Sequence, residues 1–190
     1  MERCEIGWVT RRCPLGLLLV AGSLRGVCAV MLGEVRHTLL DELRMEFPWA
    51  ERVPGGERLE IWAAAVAELA AGRVPDADVP LDVRGSRFQR RVWDALQGIP
   101  RGRTRTYGQL AAELGMPQGA RAVARACATN PVALVVPCHR VVGADGKMRG
   151  YRWGTQRKQQ LLEREKESEL SLLFSRLSSA NGPARPRSAA

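Results

Sequence analysis

Thr106-Tyr107-Gly108-Gln109-Leu110-Ala111-Ala112-Glu113-Leu114-Gly115-Met116-Pro117-Gln118-Gly119-Ala120-Arg121-Ala122-Val123-Ala124-Arg125-Ala126-Cys127-Ala128 carries the pattern that decides the fold. Thr106 is suited to an N-cap, because its hydroxyl can accept from an unpaired amide of the first turn. The helix it opens runs to Leu114, and Gly115-Met116-Pro117 breaks it. A second helix is expected from about Gln118 to Ala128. Two short helices joined by a glycine-containing turn read as a helix-turn-helix. In the second helix Ala120, Val123, Ala124 and Cys127 fall on one apolar face, while Arg121 and Arg125 share another. The residues between are small (Ala122, Ala126, Ala128), so a narrow helix with protruding arginines could approach a nucleic-acid groove closely.

Upstream, Phe88, Val92, Trp93 and Leu96 keep helical spacing until Gly98-Ile99-Pro100, and Arg101-Gly102-Arg103-Thr104-Arg105 forms a basic connection. The first eighty residues look like a small α/β unit. Leu17–Ala21 and Val27–Leu32 are apolar runs split by Gly22-Ser23-Leu24-Arg25-Gly26, as in a β-hairpin. Helices are expected over Thr38–Phe47 and Glu57–Ala71, and Gly72–Pro80 reads as a linker. The division is therefore residues 1–80, an N-terminal α/β domain; 81–167, a second domain that holds the helix-turn-helix; and 168–190, a tail whose Ser, Ala, Pro and Arg content predicts disorder.

Charge is uneven. Residues 1–80 carry 9 Lys/Arg against 12 Asp/Glu, whereas residues 81–158 carry 15 against 4. A basic field on one part of a chain is the footprint of a polyanionic partner. No apolar run reaches bilayer length, and Leu15–Val20 is too short and broken for a signal peptide. Five cysteines at 4, 13, 28, 127 and 138, with no CxxC, argue against a disulfide framework or zinc ribbon and for reduced thiols in the cytoplasm.

Downstream, Pro137-Cys138-His139-Arg140-Val141-Val142 places a candidate nucleophile beside a candidate base, directly after the apolar run Val132–Val136. Thiolate is the reactive form of cysteine, and a neighbouring imidazole or cation favours it. In a strand the two side chains would point to opposite faces, so their cooperation needs a turn, which Pro137 helps to make. The last helix is expected from Thr155. Glu165, four residues after Leu161 and three after Leu162, borders its buried face.

These segments, with Phe88-Gln89, Val92-Trp93, Asn130-Pro131 and Gly150-Tyr151-Arg152-Trp153-Gly154, closely resemble the O6-alkylguanine-DNA alkyltransferases (methylated-DNA–protein-cysteine methyltransferases). The likeness is nearest to the C-terminal part of bacterial Ada proteins. It covers roughly residues 13–166 and is most specific from Phe88 to Glu165. The resemblance implies an α+β fold: a small ribonuclease H-like α/β domain followed by a mainly helical, winged-helix-like helix-turn-helix domain. It implies a repair protein that moves the alkyl group of O6-methylguanine, and of O4-methylthymine, irreversibly to its own Cys138 in one turnover, with the nucleotide flipped out of the duplex.

By the same resemblance His139 activates Cys138 through a bridging water, Glu165 orients His139, and Asn130 links the helix-turn-helix to the active-site turn. Tyr107 helps rotate the nucleotide and donates toward guanine N3. Arg121 fills the vacated stack, and Ala122, Arg125 and Arg140 join Tyr107 in binding DNA through the minor groove. Val141, Tyr151, Arg152 and Trp153 line the substrate pocket, which Arg152 and Trp153 should narrow. No cofactor is implied. Some relatives hold a structural zinc in the N-terminal part. Here Ser23 and Cys28 stand where two ligands would be, so no metal is expected. The expected partner is double-stranded DNA, with no membrane, for a monomeric cytoplasmic protein associated with the nucleoid when bound. Two other readings stay open: a lesion-binding relative that does not react, against which Cys138 and Glu165 speak, and a cysteine hydrolase built on Cys138 and His139.

Overall fold

The computed structural model describes residues 5–148 and 150–180; Cys4 and the last part of the expected tail, 181–190, lie outside the described residues. The fold is mixed α+β, with a small mixed sheet in the first half and helices dominating the second.

Strands β1 (Glu5–Cys13), β2 (Gly16–Gly22) and β3 (Val27–Gly33) form an antiparallel meander. Helix α1 (Arg36–Glu46) then crosses over to β4 (Glu51–Pro54), which pairs parallel to β1, giving the order β3-β2-β1-β4. Helix α2 (Glu57–Ala70) packs on β1 and β2 through Leu59, Trp62, Ala63 and Val66. The hairpin expected from the two apolar runs is β2–β3. Strands β1 and β4 were not legible. In β1 only Ile6 and Val9 are buried, among Glu5, Arg11 and Arg12, and β4 is four residues ending in proline.

Strand β3 would be a bare edge, and bare edges invite unwanted pairing. The second half of the chain covers it. Val27 N–H donates to the Pro80 carbonyl at 2.8 Å, Asp82 N–H to the Val27 carbonyl at 2.9 Å, and Val30 N–H to the Pro131 carbonyl at 2.8 Å. The approach is close enough that a Cβ on Gly26 would sit 2.5 Å from the Pro80 oxygen, which excludes any side chain there. The expected linker thus ends docked on the sheet.

Helix α3 (Arg87–Gln97) opens with a capping box between Ser86 and Gln89, and Trp93 Nε1 donates to the Ala126 carbonyl at 2.9 Å. The helix-turn-helix comprises α4 (Tyr107–Glu113) and α5 (Ala120–Ala128). Thr106 caps α4 as expected: Gln109 N–H donates to Thr106 Oγ1 at 3.1 Å, and the Gln109 side chain accepts from Thr106 N–H at 2.7 Å. In α5 the core residues are Val123, Ala126 and Cys127. Ala120 and Ala124, read from the sequence as packing residues, face a cavity instead. Arg105–Thr106 (β5) pairs parallel with Val141–Val142 (β6), joining the start of the helix-turn-helix to the segment after the Cys-His pair.

Helix α6 (Thr155–Ala180) overturns part of the expected tail, since residues 168–180 are helical. Leu161, Leu162 and Glu165 fix the helix in the core. Beyond them Ser and Leu are the commonest residues, and neither glycine nor proline occurs before Gly182, so nothing in the sequence breaks the helix. Among the described residues no helix is long and apolar enough to cross a membrane.

Losing the Thr106 cap should destabilise the fold by about 1 kcal/mol. Thr106→Ala is expected to lower the urea midpoint without changing the slope, and Thr106→Ser to restore most of it.

Candidate active site

Asn130, buried just beyond α5, closes the turn that carries the Cys-His pair. Its Nδ2 donates to the Val136 carbonyl at 2.8 Å and to Cys138 Sγ at 3.3 Å, while its Oδ1 accepts from Val132 N–H at 3.1 Å. Within this turn Leu134 has φ 73°, the one positive φ among described non-glycine residues, a strained conformation of the kind that clusters at functional sites. The chain then tightens after Pro137 into a short 3₁₀ helix, Cys138–Arg140, and all three of its side chains are buried. The turn expected from Pro137 is what lets two adjacent residues both face the interior.

Glu165 reaches this turn from α6 and is 2 % exposed. Burial alone would raise its carboxyl pKa. Hydrogen bonds from His139 Nε2 at 2.9 Å and from Arg140 Nη2 at 2.7 Å outweigh that penalty and keep the group ionised. Arg140 also donates through Nη1 to the Ile99 carbonyl at 2.6 Å. Burial pushes the His139 pKa down, and Glu165 only partly offsets this, so the imidazole is neutral at pH 7. A neutral ring that donates from Nε2 to a carboxylate carries its lone pair on Nδ1. That Nδ1 is buried with no hydrogen-bond partner among the described residues, and is free to accept a proton.

Burial raises the Cys138 pKa, countered by the Asn130 hydrogen bond and by the charge of Lys158. Lys158 is itself fully buried, and its Nζ donates to the Val141 carbonyl at 2.5 Å. Sequence reasoning missed it, although Lys158, Leu161 and Glu165 follow 3–4 spacing on one face of α6. Cys127, also missed as a site residue, shares the cavity with Cys138, and burial raises its pKa to about 12.

The cavity in front of Cys138 measures about 840 Å³. Tyr107, Arg121, Asn130, Cys138 and Tyr151-Arg152-Trp153 all line it. Burial raises the Tyr107 pKa to about 12, so its phenol stays protonated and able to donate. Arg121 and Arg125 are exposed on one face of α5, Ala122 is half-buried beside them, and Ala128 is exposed. Two expectations fail on geometry. Arg140, expected on DNA, has its guanidinium buried on Glu165 and Ile99. Val141, expected to line the pocket, is fully buried in β6 and is not a lining residue.

Residues 87–167 match the family described as 6-O-methylguanine DNA methyltransferase, DNA binding domain. The Escherichia coli K12 bifunctional transcriptional activator/DNA repair enzyme Ada is 45 % identical over 168 residues, which is 88 % of this chain and 48 % of Ada. A methylated-DNA–protein-cysteine methyltransferase of Mycolicibacterium paratuberculosis is 46 % identical over 158 residues, covering 80 % of this chain and 88 % of that protein. The chain belongs to the methylated-DNA–protein-cysteine methyltransferase family. It spans about half the length of the Ada proteins it matches. A crystal structure of Mycobacterium tuberculosis OGT in complex with DNA superposes with a TM-score of 0.70 at 38 % identity, covering 88 % of this chain and 99 % of that one. Of the two residues that the resemblance put at zinc-ligand positions, Ser23 donates to Asp82 Oδ2 at 2.6 Å and Cys28 donates to the Ala21 carbonyl at 3.4 Å. Among the described residues no cluster of three or more His, Cys, Asp or Glu could hold a metal ion.

Because the folded-state pKa of Glu165 lies below its unfolded value, the stability it contributes is complete above about 4.5 and is lost as pH falls toward about 2. Glu165→Gln should remove this acid-side slope in denaturation measured against pH. It should also cost about 3–5 kcal/mol at neutral pH, because Arg140 is left buried without a counter-charge.

Proposed function

We propose that this protein repairs DNA by moving the alkyl group of O6-methylguanine to Cys138, once per molecule. The observation that carries the reading is the enclosure of Cys138, 8 % exposed at the wall of an 840 Å³ cavity. A thiol so placed meets a base only after the nucleotide leaves the stack, and Arg121 stands at the rim where the vacated space would open.

In the reaction the Cys138 thiol loses its proton toward His139 Nδ1, by way of one water. The thiolate sulfur attacks the alkyl carbon in line with its bond to O6, an S–C bond forms, and the C–O6 bond breaks. Negative charge passes to the guanine, where a protonated Tyr107 donates toward N3. Glu165 keeps His139 in the accepting tautomer, and the Lys158 charge favours the thiolate. The product is a thioether, which water does not release. O4-methylthymine, with the same O-alkyl chemistry, is a second substrate.

DNA is held by α5, with Arg121, Arg125 and the small residue Ala122 against the minor groove. The absence of bulky side chains between the arginines supports a close approach there. The meander with a crossover to a parallel β4 supports a ribonuclease H-like first domain, and the β5–β6 ribbon beside the helix-turn-helix supports a winged-helix-like second one. The proposed domain limits are 1–80 and 81–180, the second carried past 167 to the end of α6. A thiol acceptor requires a reducing compartment, which supports work in the cytoplasm and on the nucleoid.

Incubation with duplex DNA carrying labelled O6-methylguanine should leave one label per protein, on Cys138. Cys138→Ala should bind the same DNA and take no label; transfer by the variant would move the assignment to another thiol. Arg121→Ala should slow repair of duplex DNA by at least tenfold more than reaction with the free modified base, a difference of about 1.4 kcal/mol in barrier. An equal loss on both substrates would remove Arg121 from the flipping step.

A further inference from the structure

Every described residue lining the active cavity lies at or beyond Tyr107, so among the described residues the first eighty contribute no side chain to it. They do hold its wall. Tyr151-Arg152-Trp153 forms one side of the cavity, and Gly150 and Gly154 bound it with φ of 56° and 95°. A Cβ on either glycine would meet nothing within 4 Å, so the short wall is joined to the fold through two permissive positions in open space.

What steadies the wall comes from the N-terminal half. Arg152 Nη2 meets Glu46 Oε2, on the last residue of α1, at 3.0 Å across 106 positions of sequence. The same guanidinium lies over the Trp153 ring, 4.9 Å from its centroid. Glu46 therefore fixes Arg152, and Arg152 backs the indole that walls the cavity. Arg157 makes a second tie on the α6 side. Its Nη1 donates to the Trp153 carbonyl at 2.9 Å, its Nε donates to the Leu15 carbonyl at 2.8 Å, and it pairs with Glu34.

We infer that Glu46 is a specificity-determining residue: by latching Arg152 it holds the Trp153 wall inward and sets the preference of the cavity for small over bulky alkyl groups. The inference rests on the alkyl-transfer reading of Cys138. Glu46 touches no reacting atom and acts through Arg152 alone. A methyl group leaves the wall in place, whereas a benzyl group requires it to give way, so loosening the latch helps only the larger substrate. About a third of each side chain is exposed, and partly exposed pairs are weak. The expected change is about 1.5-fold to fivefold.

The test is the ratio of single-turnover rate constants on duplex DNA carrying O6-benzylguanine and O6-methylguanine, with label followed to Cys138. In Glu46→Gln the benzyl-to-methyl ratio should rise by that factor with the methyl rate unchanged, and Glu46→Asp should fall between. In the unsubstituted protein, raising salt from about 50 mM to about 500 mM should raise the ratio, because screening weakens the pair. Glu46→Gln should lose this salt response, which a merely structural role for Glu46 would not produce. Transfer of both groups to Cys138 with an unchanged ratio in Glu46→Gln, or a ratio indifferent to salt in the unsubstituted protein, overturns the latch alone. No label on Cys138 from either substrate overturns the alkyl-transfer reading and the latch with it.

Discussion

An ionised carboxylate buried in the protein interior is the constraint on which the rest of this structure depends. Taking Glu165 out of water carries a penalty of several kcal/mol unless its charge is paired and its lone pairs are filled. Arg140 supplies the positive charge and His139 a neutral hydrogen-bond donor. Those two residues are consecutive in the 3₁₀ turn, so satisfying Glu165 fixes the turn, and the turn fixes Cys138. A surface glutamate could not do this, since water would compete for its oxygens and leave the histidine free to rotate.

The same constraint sets the proton chemistry. Arg140 neutralises Glu165, so the imidazole need not be charged, and burial keeps it neutral. A neutral His139 pinned at Nε2 has its acceptor lone pair at Nδ1. The cation whose charge acts on the Cys138 thiol is Lys158, which favours the thiolate without being able to accept its proton. In the proposed reaction the two tasks of favouring the thiolate and receiving its proton fall to different residues, which a buried site can keep at fixed separation.

The N-terminal half contributes support rather than chemistry. Its β3 edge is completed by backbone from around Pro80 and Pro131, and the second contact lies one residue past Asn130, which hydrogen-bonds Cys138. Edge pairing therefore protects the sheet and sets the position of the active-site turn. Arg152 and Arg157 extend the same division of labour to the cavity wall, where acidic residues and a carbonyl of the first half hold side chains of the second. Two acidic residues of the first half, Glu34 and Glu46, thus pair with arginines of the basic half, while Arg121 and Arg125 remain exposed.

By itself the sequence determined the local pieces. It showed the hairpin, the capped α4, the arginine face of α5, and the reactive Cys138-His139 pair, because side-chain periodicity, capping and motif spacing are properties of neighbours along the chain. Resemblance added Glu165, Asn130 and Tyr107, whose residues alone read as a solvated charge, a turn and a helix start. Only the tertiary structure decided that Lys158 and Cys127 belong to the site, and that Arg140 serves Glu165 instead of DNA. It also decided that Val141 offers a backbone carbonyl instead of a pocket surface, and that α6 runs past Ser168. Each of these turns on which groups from distant segments share a low-dielectric interior. A lysine or arginine reads as solvated until the fold removes the water, and then its partners decide what it does.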